Sequence, residues 1–200
     1  SAKSQQRKQK MKVLCIAADG NRLRVEVGSD QAVLRHGEPV FVPEPVERWR
    51  SAVAPAIRIS RLGTAIKESS ARAYYDSIAP VHLLTPGDDD VADGLPAYVL
   101  DRALSPGQWT APVDEGGVYT MSVSVGEIGR ESSTHSETVS FSHADLGVDR
   151  IISAMSRHLT FRTGDILVML DHAIRLGAPQ LDTEIKASLN NSPSLEIRIK

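Results

Sequence analysis

The sequence predicts an α+β fold that is mainly β, with a few short helices. Short runs that alternate apolar and polar residues recur along the chain, and Pro and Gly are dense in its middle. Alternation with a period of two is typical of half-buried strands, whereas a helix needs apolar residues three or four positions apart. Only one long segment has that helical spacing. A chain of 200 residues is also long enough to bury a core.

The first half of the chain contains most of the strand signals. Four segments have the alternation or the apolar content of strands: residues 12–18, 22–27, 40–42 and 56–62. Asp19-Gly20-Asn21 separates the first two segments and can supply the positive φ angles of a hairpin turn. Residues 67–78 have helical spacing and stop before Pro80, so they are predicted to form a short helix.

The second half begins with a loop-rich stretch, residues 85–117, which permits at most one brief helix around residues 97–104. Five later segments are predicted strands: residues 119–125, 137–141, 166–170, 184–189 and 195–199. Ser142 can cap a helix together with Asp145, and apolar residues share one face of it as far as Leu159. Gly164-Asp165 then turns the chain into the apolar run 166–170.

Composition excludes several classes of protein. Hydrophobic residues make up 41% and charged residues 24% of the chain, which argues against disorder. Cys15 is the only cysteine, so no intrachain disulfide can form, and a cytoplasmic location is predicted. Because it lies in an apolar strand, Cys15 is interpreted as a core thiol. No uninterrupted apolar run reaches the length of a membrane span, so we expect no membrane contact.

The first twelve residues carry five positive charges and no acid, whereas the remainder has 18 basic and 25 acidic residues. We interpret residues 1–11 as a basic tail that is disordered or left over from an expression vector. Residues 12–35 are then an N-terminal β-hairpin and residues 36–200 the main domain. Nucleic-acid binding by the tail is the less favoured reading, and it predicts binding that weakens steeply with salt.

Metal and nucleotide motifs are weak or missing in the sequence. Asp88-Asp89-Asp90 with Asp93 could hold a divalent cation, but Val99 stands where a calcium loop needs glutamate, so a solvated acidic loop is favoured. The six histidines have no zinc-site spacing. His143 and His158 lie at the two ends of the predicted helix, where capping or surface roles explain them.

Several segments, in this order, resemble the fumarylacetoacetate hydrolase family. They are Pro39-Val-Phe-Val-Pro43, Ile57-Arg-Ile-Ser-Arg-Leu-Gly63, the turn Gly126-Glu127, and the helix and Gly-Asp strand of residues 151–166. The resemblance covers residues 36–200. It implies a fumarylacetoacetate hydrolase-like mixed β-roll and a homodimer. It also implies an ancestry in enzymes that use a divalent metal to cleave, decarboxylate or isomerise acylpyruvate-type substrates.

That family holds its metal with a Glu-x-Glu pair and a distant Asp, because a hard cation prefers several carboxylate oxygens. On the register implied by residues 57–63, the two glutamates would fall near Pro55 and Ile57. The aspartate would fall near His82 or Leu83. None of these side chains is a carboxylate.

Two further family elements are altered. The family lysine would stand near Val99 or Leu100, and the Gly-Thr-Pro loop is replaced by Asp171-His172-Ala173. The resemblance therefore implies the family fold without its metal chemistry. It points to a cleft beside Ile57, Leu83 and Val99.

We predict a non-catalytic or repurposed protein that binds a small carboxylate or a protein partner, with no catalytic residue, no metal and no cofactor. The candidate ligand-binding residues are Arg58, Arg61, His82 and Asp101. Arg58 and Arg61 are three positions apart, so they are expected on opposite sides of a strand. The alternative is an active hydrolase, decarboxylase or isomerase of acylpyruvate-type or related 2-oxo acids, which would need Mg²⁺ or Mn²⁺.

Overall fold

The computed structural model describes residues 11–19, 22–35, 37–87, 101–130 and 133–200. Within these ranges the chain forms eleven strands and three short α-helices. The strands are β1 (Lys12–Asp19), β2 (Arg22–Ser29), β3 (Trp49–Ile59), β4 (Tyr75–Pro86), β5 (Leu104–Pro106), β6 (Val118–Glu127), β7 (Ser133–Ser142), β8 (Ile166–Met169), β9 (Ile174–Gly177), β10 (Thr183–Leu189) and β11 (Ser192–Ile199). The helices are α1 (Glu68–Ala71), α2 (His143–Leu146) and α3 (Val148–Ser156). The predicted mixed, mainly β fold is confirmed.

The strands form two sheets. A seven-stranded sheet has the order β2-β1-β8-β3-β4-β5, with β9 paired to β3 off this path. A four-stranded sheet has the order β11-β10-β6-β7. β1 and β8 run parallel, whereas the other strand pairs are antiparallel, so the larger sheet is mixed.

The two faces of the seven-stranded sheet bury different sets of side chains. Val53 and Ile57 of β3 belong to the large core that also contains Met121 of the second sheet, so this core lies between the sheets. Ala54 of β3 belongs to a second apolar cluster on the opposite face. Successive residues of a strand point to opposite faces, which is why β3 serves both clusters.

The predicted N-terminal hairpin is present as β1 and β2, although residues 20 and 21 of its turn lie outside the described residues. β1 also pairs with β8, which makes the hairpin part of the larger sheet. The division of the chain at residues 11 and 35 stays a prediction. Among the described residues, no helix approaches the length and apolarity needed to cross a bilayer.

The predicted helix of residues 142–159 is two helices. Its start is as expected, because Ser142 and Asp145 form a reciprocal capping box. Gly147 then adopts a left-handed conformation with φ of +58°, which ends α2 and begins α3. Glycine takes this conformation without steric cost, so the break follows from Gly147 itself.

Two predicted elements of the first half are wrong. The helix of residues 67–78 is limited to α1 and a single 3₁₀ turn, because the chain from Tyr75 onward pairs with β3 along its whole length. Residues 40–42 do not form a regular strand, although Val40 makes an isolated parallel bridge to Ile199 and the N–H of Val42 donates to the carbonyl of Lys200. In the loop-rich middle, residues 97–100 lie outside the described residues and residues 104–106 form β5.

The Gly164-Asp165 turn joins the start of β8 to the start of β1. Gly164 has φ of +93°, which favours glycine. The fully buried carboxylate of Asp165 accepts hydrogen bonds from the backbone N–H of Lys12 and of Arg162, each at 2.8 Å. Lys12 Nζ also lies 2.7 Å from this carboxylate. The turn is therefore a structural joint between two parallel strands.

Candidate functional site

The cleft expected beside Ile57 and Leu83 does not form between those two residues. Ile57 lies in the core between the sheets, whereas Leu83 lies in the cluster on the opposite face. Their side chains therefore point away from each other across the sheet, and they cannot converge on one ligand. Val99, the third residue of that expectation, lies outside the described residues.

The β3 positions that share the face of Leu83 are alanines. The pairing of β3 with β4 places Ala52 opposite Leu83, Ala54 opposite Val81 and Ala56 opposite Ala79. Side chains on one face of a strand are two positions apart. Any such pair on β3 that faces the same side as Leu83 therefore consists of two of these three alanines. Pro55 and Ile57 share the face of Val53, the partner of His82, so the register that places the family glutamates near them agrees with an aspartate position near His82 and not with one near Leu83, and it stays a prediction.

This face does not fit a divalent metal ion. Alanine, valine and leucine offer no oxygen ligand, and a hard cation needs six or more oxygens around it. Within the described ranges, no group of three or more His, Cys, Asp or Glu side chains could hold a metal ion. Asp88-Asp89-Asp90 and Asp93 lie outside those ranges.

The aliphatic face is packed. Its buried members include Val13 and Cys15 of β1, Ala32, Leu104 and Val168, with Trp109 and Leu170 packed against them. Burial, and secondarily the charge of Glu26, raises the pKa of the Cys15 thiol. A neutral buried thiol is a poor nucleophile, so the prediction of a core thiol is confirmed.

Arg58 stands at one end of this face, and its side chain is 40% exposed. By alternation along β3 it points to the same side as Ala54 and Ala56. Its guanidinium donates a hydrogen bond to Ser77 Oγ at 2.9 Å and lies 5.2 Å from the centre of the Trp109 ring. The nearest carboxylate, Asp76, is 3.9 Å away. The planar group is thus held in place while much of it faces solvent.

Arg61 and Asp101, the other two candidates at the surface, do not lie on the strand that carries Arg58. β3 ends at Ile59, so Arg61 lies in the following loop and is exposed. The expectation that Arg58 and Arg61 occupy opposite sides of one strand is therefore wrong. Asp101 is exposed in a turn just before β5.

His82 is fully buried on the face opposite to Arg58, because its cross-strand partner is Val53 of the inter-sheet core. Its Nε2 lies 2.7 Å from Ser51 Oγ, and its Nδ1 has no hydrogen-bond partner among the described residues. Burial lowers the pKa of His82 to about 3. The imidazole is therefore neutral near neutral pH, and its contact with Ser51 is buried inside the inter-sheet core.

Comparisons with known proteins identify the fold. A 5-carboxymethyl-2-hydroxymuconate delta-isomerase from Mycobacterium smegmatis has a TM-score of 0.74 and 12% identity, over 94% of this chain and 78% of the isomerase. A protein of Yersinia pestis CO92, assigned to the fumarylacetoacetate hydrolase family, has a TM-score of 0.74 and 17% identity, over 94% of this chain and 93% of that protein. The chain has the fumarylacetoacetate hydrolase fold. No family model and no curated protein matches the sequence.

A further solved structure with this fold is a 2-hydroxyhepta-2,4-diene-1,7-dioate isomerase from Mycobacterium marinum. It has a TM-score of 0.74 and 16% identity, over 94% of this chain and 73% of the isomerase. The TM-scores of these structures show the fumarylacetoacetate hydrolase fold. Because the sequence identities are low, the activity of this chain has to be argued from its own residues.

One polar cluster inside this fold was missed by the sequence reasoning. His143 is buried, with Nε2 2.9 Å from Tyr75 Oη and Nδ1 3.2 Å from Tyr119 Oη. The backbone N–H of Val113 donates to Tyr119 Oη at 3.0 Å. The capping or surface role expected for His143 is therefore wrong. No local signal could have found the cluster, because its members come from β4, β6 and α2.

Burial governs the protonation of this cluster. It lowers the pKa of His143, an effect that nearby Asp149 opposes, and it raises the pKa of Tyr75 and of Tyr119. A neutral imidazole can donate to one phenol and accept from the other, so both of its ring nitrogens have partners. We therefore assign the cluster a structural role at the joint between the two sheets.

A shallow groove of about 440 Å³ crosses the outer face of the four-stranded sheet. Its lining combines apolar residues with five serines: Ser122, Ser124, Ser136, Ser188 and Ser194. Lys186 also lines the groove, but its ammonium lies 2.9 Å from Glu184 Oε2, so its charge is compensated in place. The groove offers an acidic ligand no uncompensated positive charge.

Proposed function

We propose that this chain is a divergent member of the fumarylacetoacetate hydrolase family that binds a small organic carboxylate without a catalytic metal. The observation that carries the proposal is the aliphatic face around Ala52, Ala54 and Leu83, with the anchored guanidinium of Arg58 at its end. The aliphatic face offers no oxygen ligand to a metal ion. The guanidinium offers a positive charge to an anionic ligand.

The absence of ligating side chains supports a metal-independent role. Three alanines of β3 face Leu83, Val81 and Ala79 of β4, and none of these side chains is a metal ligand. Loss of one carboxylate would weaken a metal site, whereas loss of all of them removes the charge that holds the cation. On this proposal the family fold has been kept while its Lewis acid has been lost.

Arg58 is suited to an anionic ligand. Guanidinium groups bind carboxylates through two parallel N–H donors. Arg58 donates one hydrogen bond, to Ser77, and its ion-pair partner Asp76 lies 3.9 Å away, beyond hydrogen-bond distance, so these two residues leave other N–H donors of Arg58 for a ligand. The neighbouring Trp109 ring fixes the guanidinium plane and offers an apolar wall. A short 2-oxo acid or aliphatic carboxylate could therefore contact Arg58 through its charge and Trp109 through its chain.

The test is calorimetric titration with pyruvate and with a longer acylpyruvate, in the presence of a chelator. Arg58→Gln should weaken binding by about tenfold or more, because a charge-assisted hydrogen bond to a carboxylate contributes about 1.5–3 kcal/mol. The matched control is Arg61→Gln, an exposed arginine of the adjoining loop, which should leave the affinity unchanged. Binding that survives Arg58→Gln, or no binding by the wild type, would contradict the proposal.

An active hydrolase, decarboxylase or isomerase is the second candidate function. It is favoured by the names of solved structures with this fold, which include the isomerases from Mycobacterium smegmatis and Mycobacterium marinum. Such an enzyme needs Mg²⁺ or Mn²⁺, and a bound ion must raise the melting temperature by mass action. Metal-dependent stabilisation together with turnover of an acylpyruvate would establish this second function. We expect neither.

A further inference from the structure

Two segments that are distant in sequence lie side by side at one end of β3. One is the loop of residues 60–67, and the other is the chain that follows α3, residues 157–164. The N–H of Gly63 donates to the carbonyl of Phe161 at 3.1 Å, and the N–H of Phe161 donates back at 2.8 Å. The N–H of Ala65 donates to the carbonyl of Ser156 at 2.8 Å. These contacts bring together four exposed basic residues, which we call the basic patch: Arg61, Lys67, Arg157 and Arg162.

The charge of the basic patch is not compensated nearby. Residues 60–67 and 157–164 contain no Asp and no Glu. Two acids flank these segments: Glu68 is exposed, whereas the buried carboxylate of Asp165 already accepts two backbone N–H groups and pairs with Lys12. Within the described residues, none of the four patch side chains forms an ion pair. Their positive charges therefore face solvent together.

The N-terminal segment joins the protein beside this patch. Lys12 Nζ donates to the carbonyl of Thr160 at 3.1 Å, which fixes the start of β1 next to residues 157–164. Residues 1–10 lie outside the described residues, and their sequence contains Lys3, Arg7, Lys8 and Lys10 and no acid. Because they are joined to the chain at this end, their charge adds to that of the patch. The net charge of −2 thus combines a basic end with an acidic remainder.

We propose that the basic patch binds the phosphate backbone of a nucleic-acid duplex without sequence preference. Arg61, Arg157 and Arg162 each present a planar guanidinium, whose parallel N–H donors match the oxygens of a phosphate. A duplex carries phosphates at regular intervals along both strands, so several separate cations can each contact one. Such contacts supply affinity by releasing counterions and read no base sequence.

The apolar and aromatic content of the two segments favours a duplex over other polyanions. Leu62, 67% exposed, is the one large apolar side chain of these segments that lies at the surface, whereas interfacial membrane binding needs a whole apolar face. Phe161 is their one aromatic residue and is fully buried. Proteins that bind single strands stack bases on exposed aromatic rings, and the patch offers none.

The proposal is tested by fluorescence anisotropy with a short labelled DNA duplex over a series of salt concentrations. In the full chain, Lys67→Gln, Arg157→Gln and Arg162→Gln combined should weaken binding about tenfold or more near physiological salt. The slope of log affinity against log salt should become shallower by about two to three, because each phosphate contact contributes about 0.9. Two duplexes of unrelated sequence should bind alike.

The matched control is the combination Arg130→Gln, Arg198→Gln and Lys200→Gln. It removes two arginines and one lysine, as the patch variant does, but each of these residues lies within 4.0 Å of a carboxylate. The net charge of the two variants is therefore the same, and the control should keep the affinity and the slope of the wild type. Arg61 is left unchanged in both, so this test is separate from the carboxylate titration.

A further variant, with Lys3, Arg7, Lys8 and Lys10 all changed to Gln, separates the patch from the N-terminal segment. The patch substitutions should still reduce the slope when they are added to this variant. The proposal is overturned if the wild type does not bind the duplex, if the patch and control variants lose affinity equally, or if only the N-terminal substitutions matter. Binding to phosphatidylserine vesicles that the duplex does not compete away would assign the patch to a membrane instead.

Discussion

Ala52 and Leu83 lie directly opposite each other on the antiparallel strands β3 and β4. Leu83 belongs to the apolar cluster on the face away from the second sheet, and Ala52 shares that face with Ala54. Two aliphatic side chains meet at this point of the sheet, and neither offers an oxygen to a metal ion.

Ala54→Glu is expected to destabilise the protein strongly. Ala54 is 0% exposed, and a buried carboxylate without a partner costs about 3 kcal/mol or more. Urea denaturation with and without Mg²⁺ measures the effect. The control is Ala144→Glu, which introduces the same side chain at an exposed position of α2. If Mg²⁺ restored the stability of Ala54→Glu, the face would still be competent to hold a metal.

Local signals explain which parts of the fold could be predicted. The capping box of Ser142 and Asp145 and the turn at Gly164-Asp165 depend on residues adjacent in sequence, and both are present as expected. Tyr75 begins a strand instead of continuing a helix, because its conformation is decided by β3, sixteen or more positions away. Long-range pairing overrides helical spacing there.

The candidate site was harder to predict, because it too depends on pairing between strands that are distant in sequence. Along a strand, a one-residue change of register moves every side chain to the other face. The sequence alone therefore could not distinguish Ile57, which faces the inter-sheet core, from Ala56, which faces the other side. The buried contacts of His143 were equally hidden, since they join residues 24 and 68 positions apart.

Stability should fall on acidification because of His82. Burial lowers its folded-state pKa to about 3, whereas the unfolded value is about 6.5, so the unfolded chain binds the proton first. The stabilisation is complete above pH ~6.5 and is lost progressively as the pH falls toward 3. Each pKa unit corresponds to roughly 1.4 kcal/mol, so the total loss is several kcal/mol.

Urea denaturation between pH 7.5 and pH 4.5 measures this dependence. His82→Leu removes the titrating group and should flatten the dependence of the unfolding free energy on pH, even if the variant is less stable at neutral pH. His135→Leu is the control, because His135 is exposed and its loss should leave the slope unchanged. An unaltered slope in His82→Leu would show that other groups cause the acid sensitivity.

Tyr119→Phe should cost about 1–3 kcal/mol of unfolding free energy. The hydroxyl of Tyr119 accepts the N–H of Val113 and contacts His143, so its removal takes a partner from the part-buried N–H of Val113 and from the buried Nδ1 of His143. Tyr74→Phe is the matched control, since Tyr74 is only partly buried, packed against the core through its ring. Equal stability of the two variants would show that the hydrogen bonds of Tyr119 contribute nothing.

Asp165→Asn should destabilise the joint between β1 and β8 by about 2 kcal/mol or more, although the substitution is nearly isosteric. The two carboxylate oxygens accept separate backbone N–H groups, from Lys12 and from Arg162. An amide has one oxygen, so its NH₂ group must face one of these donors, and the charge that attracts Lys12 Nζ is lost.

The control for this prediction is Asp182→Asn, which also removes a carboxylate paired with a lysine. Asp182 is 78% exposed beside Lys200, and an exposed ion pair contributes less than about 1 kcal/mol. Chemical denaturation of both variants at low and high salt separates the two cases. The loss in Asp165→Asn should persist at high salt, because buried hydrogen bonds are weakly screened. If salt abolished the difference between the variants, the Gly164-Asp165 turn would be held by charge alone.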